Sequence, residues 1–483
     1  MTTSNSSWGV FNDTGRPRVI IAGAGLGGLT LAALLHKAGV SFELLERSED
    51  VKQPGSAIAL GCSTAPMLRQ LGIYEELKAI SKPTRHVHVI TDDGEPVYNM
   101  DIEWLEEATG YGAYITPCPE LYDLLWRQIP RENIHLGKKI VSFDQDSEDV
   151  IARCSDGTMY HGDILVGADG AHSTVRQHLY KILKEQKKLS SSDDAPLPYS
   201  RVCLVGQTEV LNPEEFPDLK QEYCKDYSVV GTEKNFSWCT FTTKQNTLCW
   251  MVIDFIDRET SRGGNPHENS EWGPGAAEVM CNEVRDFKVP GGKDGKQLTI
   301  GDLIDRTPKE RISKVALEEK LFEVWSHERT VLLGDACHKL VPSSGQGAAI
   351  AMQDAVVLAN WIASMDSCSV YYHLDPAFKE YRAERYPVVQ GEFETSQGFT
   401  SILGKDLRSV ATRAALKWLP AWVWKRIITP MAAIRPQASF LPLIEDKPSL
   451  KPAHQPSLEK TLAILKQQAE QAEEPRIRAV AAF

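Results

Sequence analysis

The chain is short of cysteine, of positive charge and of long apolar runs, and each shortage excludes something. Ten cysteines among 483 residues are too few and too scattered for a disulfide scaffold. No CxxC pair occurs, so zinc ribbons are excluded, no metal site is expected, and a reducing compartment is the better reading. No uninterrupted apolar stretch of about 18 residues is present, which argues against a transmembrane helix. The opening segment, MTTSNSSWGVFNDTGRPR, is polar and lacks the apolar core of a secretory signal, and residues 1–16 read as a disordered arm. The net charge of −12 leaves no basic face for a phosphate backbone, so no nucleic-acid partner is expected. No internal repeat is visible. A cytoplasmic location is the resulting expectation, with one qualification at the C-terminal end.

What remains is an ordinary globular composition. Hydrophobic residues make up 42% and charged residues 24%, which rules out wholesale disorder. At about 150 residues per domain, the length suggests roughly two to four domains.

The first informative pattern starts at Arg18. Arg18–Ala22 reads as a short buried strand, followed at once by Gly23-Ala-Gly25-Leu-Gly27-Gly28 and a helical run that Gly39 can close. A second apolar strand, Ser41–Leu45, ends at Glu46. Strand, GxGxxG, helix, strand and acid form the context a dinucleotide fingerprint requires. Gly23 allows the tight turn, Gly25 lets a pyrophosphate approach the backbone, and Gly28 lets the helix pack on the strand. The helix N-terminus offers unpaired N–H groups and a partial positive charge. Glu46 stands where a carboxylate binds ribose hydroxyls and repels a 2′-phosphate, so NADP is a poor candidate for this site. The motif alone leaves NAD and FAD open.

Two later motifs bear on that choice. Gly162–Arg176 contains a buried strand ending in Asp169-Gly170, then a polar turn and a helix start at Ser173. Thr330–Asp335 is another apolar strand, ending in Gly334-Asp335. It runs through Pro342 into Gly345-Gln346-Gly347, and an apolar helix begins at about Ala348. Asp335 is placed to accept hydrogen bonds from a ribitol hydroxyl. The Gly345–Gly347 amides, leading into a helix N-terminus, are suited to the N1–C2=O edge of a flavin, where negative charge develops on reduction.

In this order, over residues 18–361, the three motifs resemble those of the FAD-dependent aromatic hydroxylases, the single-component class A flavoprotein monooxygenases. The overall flavour is closest to the fungal-type, salicylate-hydroxylase-like branch that serves secondary metabolism. The resemblance implies an α/β fold: a discontinuous Rossmann-like FAD-binding domain, an inserted β-sheet substrate domain and a helical C-terminal extension. It implies that Gly23, Gly25, Gly28 and Glu46 hold the ADP half of FAD, and that Asp169 and Gly170 interact with FAD and NAD(P)H. Gly334 and Asp335 would bind the ribitol, with Pro342, Gly345, Gly347 and Ala348 beside the isoalloxazine. Gly55–Gly61 looks like the family's glycine-containing loop near the flavin, which adds Gly55 to the set.

The implied activity uses NAD(P)H as co-substrate and O2, through a flavin C4a-hydroperoxide, to hydroxylate or epoxidise an aromatic or lipophilic small molecule. The cofactor carries that chemistry, so no Ser-His-Asp or paired-carboxylate constellation is required, none stands at telling spacing, and no catalytic residue is assigned. His338 is read as ordering its loop and Cys337 as buried and inert. No WxWxIP motif occurs, which disfavours a halogenase. Two other readings stay open: an FAD-dependent reductase or dehydrogenase of a prenyl-type lipid, and a non-catalytic flavin-binding protein.

The sequence also departs from the family pattern. Cys118 occupies the position of an arginine that contacts FAD, and Ala349 and Gln353 replace the usual Asn and Glu after the third motif. Val205 and Gly206 stand where some branches carry a phenolate-gripping arginine. Arg201 is a substitute for it or a solvated strand-edge residue.

The domain expectation follows the motifs. FAD-binding segments span 17–84, 116–183 and 325–390, with strands shared with the substrate domain at 85–115. A charged linker at 184–198 leads to a substrate domain at 199–324, and a helical extension occupies 391–483. Strands are expected at Tyr199–Val210, Asn235–Thr243 and Thr247–Ile256. Phe236, Trp238, Phe241 and Trp250 either line a cavity or pack a core, and strand alternation favours the core for most of them. Arg258–Lys296 looks like a surface excursion or lid. A charged helix is expected from about Asp375 through Arg385, before Pro387. Residues 401–435 hold seven basic residues against one acid, with three tryptophans. That pattern suits peripheral contact with a membrane. It equally suits two helices packed on the protein with their cations outward, and Pro420, which breaks any long stripe, favours the second.

Overall fold

The computed structural model describes residues 15–50, 57–232, 235–256, 274–293, 297–341, 345–366, 370–403, 407–416, 420–445 and 449–480. Most of the 1–16 arm lies outside them, as do residues 258–273 and 294–296 of the excursion, Gly55 and Pro342.

Short apolar runs build the first sheet. Strand β1 (Val19–Ala22) is buried along its whole length, as a parallel strand between helical layers must be. Helix α1 (Leu26–Ala38) follows, and Gly39 stops it at φ +68°, returning its N–H to the carbonyls of His36 and Leu35. Strand β2 (Phe42–Leu45) lies parallel to β1. Further on come β3 (Ala57–Leu60), β4 (His86–Thr91), β5 (Pro96–Asp101) and α2 (Cys118–Trp126). Strand β6 (Ile164–Gly167) covers the other side of β1, with Ala22 opposite Gly167, and leads to α3 (Thr174–Glu185).

The 184–198 segment is fastened rather than loose. Asp193 is buried and accepts the N–H groups of Glu323 and Val324, each at 2.9 Å.

The second sheet begins with β7 (Tyr199–Gln207), β8 (Asp226–Val230), β9 (Phe236–Thr242) and β10 (Leu248–Phe255). Helices α4 (Pro274–Val284) and α5 (Ile300–Ile304) follow, then β11 (Ser313–Glu318) and β12 (Thr330–Leu332). Strand β12 returns to the first sheet, parallel to β6 with Leu332 opposite Gly167. The second sheet has seven strands in the order β11-β7-β10-β9-β8-β4-β5. All its pairs are antiparallel except β8 with β4.

Period-2 alternation separates the faces of this sheet. Phe236, Trp238, Trp250 and Val252 point into a core with Phe287 beneath α4 and α5. Phe241, Cys239, Met251 and Val205 line the cavity on the opposite face. Of the four aromatics singled out above, Phe241 faces the cavity, while Trp238 and Trp250 reach its wall from the core side. Arg201 is not at a sheet edge. Strand β7 is flanked by β10 and β11, and the mostly buried guanidinium lies 3.9 Å from Glu319, outside the cavity wall.

The C-terminal third is helical. Helix α6 (Gly347–Ala363) packs against α1. Helix α7 (Val370–Leu403) runs through Pro376 and Pro387, so the stop expected at Pro387 does not occur, and the expected boundary at 390/391 falls inside one helix. Buried Tyr381, Arg385, Val389 and Ser396 hold it on the body across the missing N–H groups. Helices α8 (Leu407–Leu416) and α9 (Ala421–Ala433) are separated at Pro420.

Trp424 stacks on Tyr98 at 5.2 Å, and the Lys425 ammonium sits over the Trp104 ring. Arg435 is an exception to outward-facing cations: it is fully buried and donates to the carbonyls of Ala432 and Leu450, each at 2.6 Å. The following strap is tied to Gln70 through Ala438 and Pro442. Helix α10 (Pro456–Val480) closes the described chain. No helix among the described residues is long and apolar enough to cross a membrane.

Gly206 provides a direct test of the second sheet. It pairs with Trp250, and a Cβ placed on it would stand 2.3 Å from the indole. The ring cannot move aside, because its N–H is bonded to Thr307 Oγ1 at 3.0 Å in the buried core. Gly206→Val is expected to cost about 1–3 kcal/mol through overpacking, read as a lower thermal midpoint. An unchanged midpoint would contradict the register.

Candidate active site

Strands β1, β6 and β12 are adjacent and parallel, so the turns leaving their ends meet at one edge of the sheet. Glycine makes that meeting possible. A Cβ on Gly28 would stand 2.0 Å from the Gly23 carbonyl oxygen, and one on Gly23, which has φ +100°, would stand 2.5 Å from the Ala168 oxygen. A Cβ on Gly27 would stand 2.6 Å from the Leu333 side chain. Helix α1 therefore lies directly against its own strand turn and against the third motif.

The first turn suits a pyrophosphate. Gly25 caps α1 without a side-chain hydrogen bond, and the first turn holds no acidic residue. A Cβ on Gly25 would meet nothing within 4 Å. The result is an open helix end with unsatisfied N–H groups. Glu46 is half-buried at the end of β2 and accepts the N–H groups of Ala24 and Ser48, each at 2.9 Å. It braces the turn while retaining lone pairs for a ribose.

The second turn is organised from within. Asp169 accepts from Ser173 Oγ at 2.5 Å and from the Thr174 and Val175 N–H groups at 2.7 and 3.2 Å. Its carboxylate is thus engaged in holding the start of α3, and Gly170 turns at φ +82°. Arg176 joins this turn to the next, donating to the carbonyls of Ala171 and Ala336 at 2.6 and 2.9 Å.

In the third turn, Gly334 has φ +62° and packs against Ala351. Asp335 is half-buried and paired with Lys339 at 2.6 Å. Gly345 turns at φ +64° beside Ala59. Gly347 and Ala348 open α6, whose first turn again carries no acid and whose cap makes no side-chain bond.

One buried carboxylate ties the third turn to the helices. Asp354, on α6, accepts from His338 Nε2 at 2.5 Å, from Arg385 Nε at 2.6 Å and from the Gly334 N–H at 3.3 Å. Arg385 also donates to Gln353 Oε1 at 3.1 Å. Burial alone would raise the Asp354 carboxyl, but His338 and Arg385 outweigh it and hold it below the usual carboxylate range. Cys337 is fully buried, and burial pushes its thiol well up, which matches an inert residue.

A cavity of about 590 Å³ opens from this edge. Gly345, Gln346 and Ala57–Gly61 form one end, and the inner face of the seven-stranded sheet forms the roof. Ile427, Ile428 and Met431 of α9 close a further side. The wall is mainly apolar. Its four cysteines, Cys62, Cys203, Cys239 and Cys249, serve as small hydrophobes, and burial pushes up the thiols of the last three.

A family model described as FAD binding domain matches residues 16–211 and 296–394. The FAD-dependent monooxygenase paxM of Penicillium paxilli is 30% identical over 394 residues, covering 79% of this chain and 77% of that protein. The chain belongs to the FAD-dependent monooxygenase family. A second relative, ptmM of Penicillium ochrochloron, is 28% identical over 402 residues, 80% of this chain and 89% of that protein. Among solved structures, Klebsiella pneumoniae HpxO complexed with FAD and uric acid superposes with TM-score 0.68 at 19% identity, covering 86% of this chain and 96% of that one.

The family match is interrupted at 212–295, the stretch that carries β8, β9, β10 and α4 of this monooxygenase. Its architecture is therefore an α/β FAD-binding domain split in sequence, an inserted sheet and a helical C-terminal region. When bound, FAD supplies hydride acceptance from NAD(P)H and activation of O2, which no side chain can perform.

The monooxygenase brings the motif residues Gly23, Gly25, Gly28, Glu46, Asp169, Gly170, Gly334 and Asp335 to one edge, with Gly345 in the cavity wall and Gly347 and Ala348 opening the helix after it. Cys118 starts α2 directly after Pro117, which pairs with Ala57 of β3. Sequence reasoning missed Arg176, Asp354 and Arg385. Arg176 lay inside a quoted motif and Gln353-Asp354 followed another, so only their partners were invisible.

Asp354→Asn is expected to cost about 3–5 kcal/mol, because it leaves Arg385 buried without its counter-charge. The stabilisation from this lowered carboxyl is present above about pH 4 and is lost as pH falls through the folded-state value, so the variant's acid limb should be flatter. Thermal unfolding across pH checks both. A midpoint equal to wild type at pH 7 would contradict the clamp.

Proposed function

We propose that this monooxygenase inserts one oxygen atom into a lipophilic, mainly hydrocarbon or aromatic small molecule held in the cavity beneath the seven-stranded sheet. The observation carrying this reading is the continuity of that cavity, from the α6 end at Gly345–Gln346 to a roof of alkyl and aromatic side chains. Such a wall excludes water from the reacting centre and favours apolar skeletons.

In the same reading, Gly23, Gly25, Gly28 and Glu46 hold the ADP half of FAD, and Asp335 takes a ribitol hydroxyl. The α6 N-terminus faces the ring edge that becomes negative on reduction. Asp169 and Gly170 act through the shape of the second turn.

The test is oxygen-coupled NAD(P)H oxidation by the FAD-loaded protein, screened against phenols, indoles and terpenoids. A product gaining one oxygen atom from labelled O2 is expected. Product formed equally well without oxygen would support a reductase instead, and a flavin never reduced across the panel would support a non-catalytic protein. For the cofactor residues, Gly25→Asp is expected to fold but to lose its flavin, since the added carboxylate meets the pyrophosphate. Full flavin stoichiometry in that variant would contradict the assignment.

We also infer that α8 and α9 rest on an anionic lipid surface. Leaving aside the buried Arg435, residues 401–434 sum to +5 within a chain of −12, and Trp422 is 66% exposed. Ile427 is 43% exposed while also lining the cavity, so a lipid phase here would adjoin the substrate's entry. Co-sedimentation with phosphatidylserine-containing vesicles, lost in Trp422→Ser and at high salt, is expected. Equal recovery with neutral and anionic vesicles would overturn the inference.

A further inference from the structure

The apolar cavity contains two ionisable acids that nothing above has used, Asp226 on β8 and Glu392 on α7. Among the described residues, no Lys, Arg or His lines it. Asp226 belongs to the inward-facing series of β8 with Ser228, and the roof strand beside it offers Cys239 and Phe241. Its carboxyl accepts no hydrogen bond from any described residue. Burial, with no compensating charge, pushes it up to about 7.

A chain of contacts locates this carboxyl relative to the motif turns. Asp226 is registered opposite Phe241, and Phe241 and Ala59 pack on the same small cluster of Ala57, Ile115, Cys224 and Cys249. Ala59 in turn lies against Gly345, where a Cβ would approach it to 3.7 Å. The acid therefore stands in the part of the roof next to the α6 end of the cavity.

A half-buried carboxyl that faces an apolar cavity without partners is costly unless something completes its hydrogen bonding. Glu392 shares this character, since its Oε2 has no partner and burial pushes it to about 7. The positive charge of Arg385, however, acts on Glu392 and offsets part of its burial, whereas no cation among the described residues acts on Asp226. Asp226 is the more exposed of the two to a demand that only the ligand can meet.

We propose that Asp226 is the polar anchor of the substrate cavity, accepting a hydrogen bond from an O–H or N–H group of an otherwise apolar substrate and so fixing which carbon faces the α6 end. This rests on the reading of the cavity as the substrate site. A site built around a donor rejects analogues that lack it far more strongly than an apolar pocket rejects a change in size.

The test uses FAD-loaded protein and two matched probe pairs, carbazole with N-methylcarbazole and 2-naphthol with 2-methoxynaphthalene. Binding is followed by the change in flavin absorbance. Wild type is expected to prefer the donor member of each pair by about ten- to hundredfold, and Asp226→Leu to bring the ratio to near one at unchanged flavin content. Asp226→Asn, nearly isosteric, guards against a folding defect.

The pH profile separates anchoring from packing. Donor affinity in wild type should fall as pH drops through about 7, because protonation removes the accepting charge, and the Asp226→Asn profile should be flat. Of the groups near Asp226, burial pushes Tyr98 and Cys224 each to about 12 and Cys239 higher still, so all remain neutral over this range. Glu392, in the same cavity, is separated by Glu392→Gln, which should retain the pH dependence.

A preference unchanged in Asp226→Leu, or absent from wild type, overturns the proposal, as does a pH dependence that follows Glu392 instead. Cys239→Phe fills the cavity without removing the acid. Unaltered binding of all four probes in that variant would overturn the site reading itself, leaving the two failures distinguishable.

Discussion

The close approach of three backbone turns is the constraint on which everything else depends. Strands β1, β6 and β12 run parallel and end level, with Ala22 opposite Gly167 and Gly167 opposite Leu332. What leaves those ends must share a small volume. Side chains at Gly23 and Gly28 would overlap backbone atoms at 2.5 and 2.0 Å, so the turns meet only because these positions have none. The same bareness leaves helix N–H groups open at Gly25 and again at Gly347. One arrangement thus satisfies packing within the sheet and, in the reading proposed above, leaves donors for a phosphate and an electron-rich ring edge.

Asp354 extends that constraint into the substrate region. Its two oxygens take hydrogen bonds from the third turn, from His338 and from Arg385 on α7. Helix α7 contributes Val388 and Glu392 to the cavity wall, and α6 contributes Ile350 and Gln353, with Gln346 at its cap. The backbone turn expected to meet ribitol and the helices that shape the cavity are therefore held by one buried ion pair network. The second sheet closes the cavity from above, and its strands contribute none of the residues bonded to Asp354.

Much of the cofactor edge was legible because its determinants are local. A buried strand, a glycine turn and an acid occur within a few dozen residues, and each turn follows its strand directly. The seven-stranded sheet was only partly legible. Strands β7, β9 and β10 carry β-branched and aromatic residues, but β8 holds Asp226 and Ser228 facing inward and reads as polar surface. Its inwardness depends on pairing with β4, more than a hundred residues earlier. Pro387 misled for a related reason: proline is a local breaker, whereas the helix around it is held by tertiary partners of Tyr381, Arg385 and Val389. Arg435 likewise read as one more outward cation, because its carbonyl partners at Ala432 and Leu450 are set by the path of the strap.

The central claim is that the edge where the three turns meet and the cavity beneath the second sheet form one continuous site. A crystal structure of the FAD-loaded protein tests it most directly. The account predicts the pyrophosphate at the N-terminus of α1, the ring edge at Gly345–Gly347, and the ring open to the cavity that contains Asp226. A flavin bound with its ring walled off from that cavity, or with its phosphates away from Gly25, would contradict it.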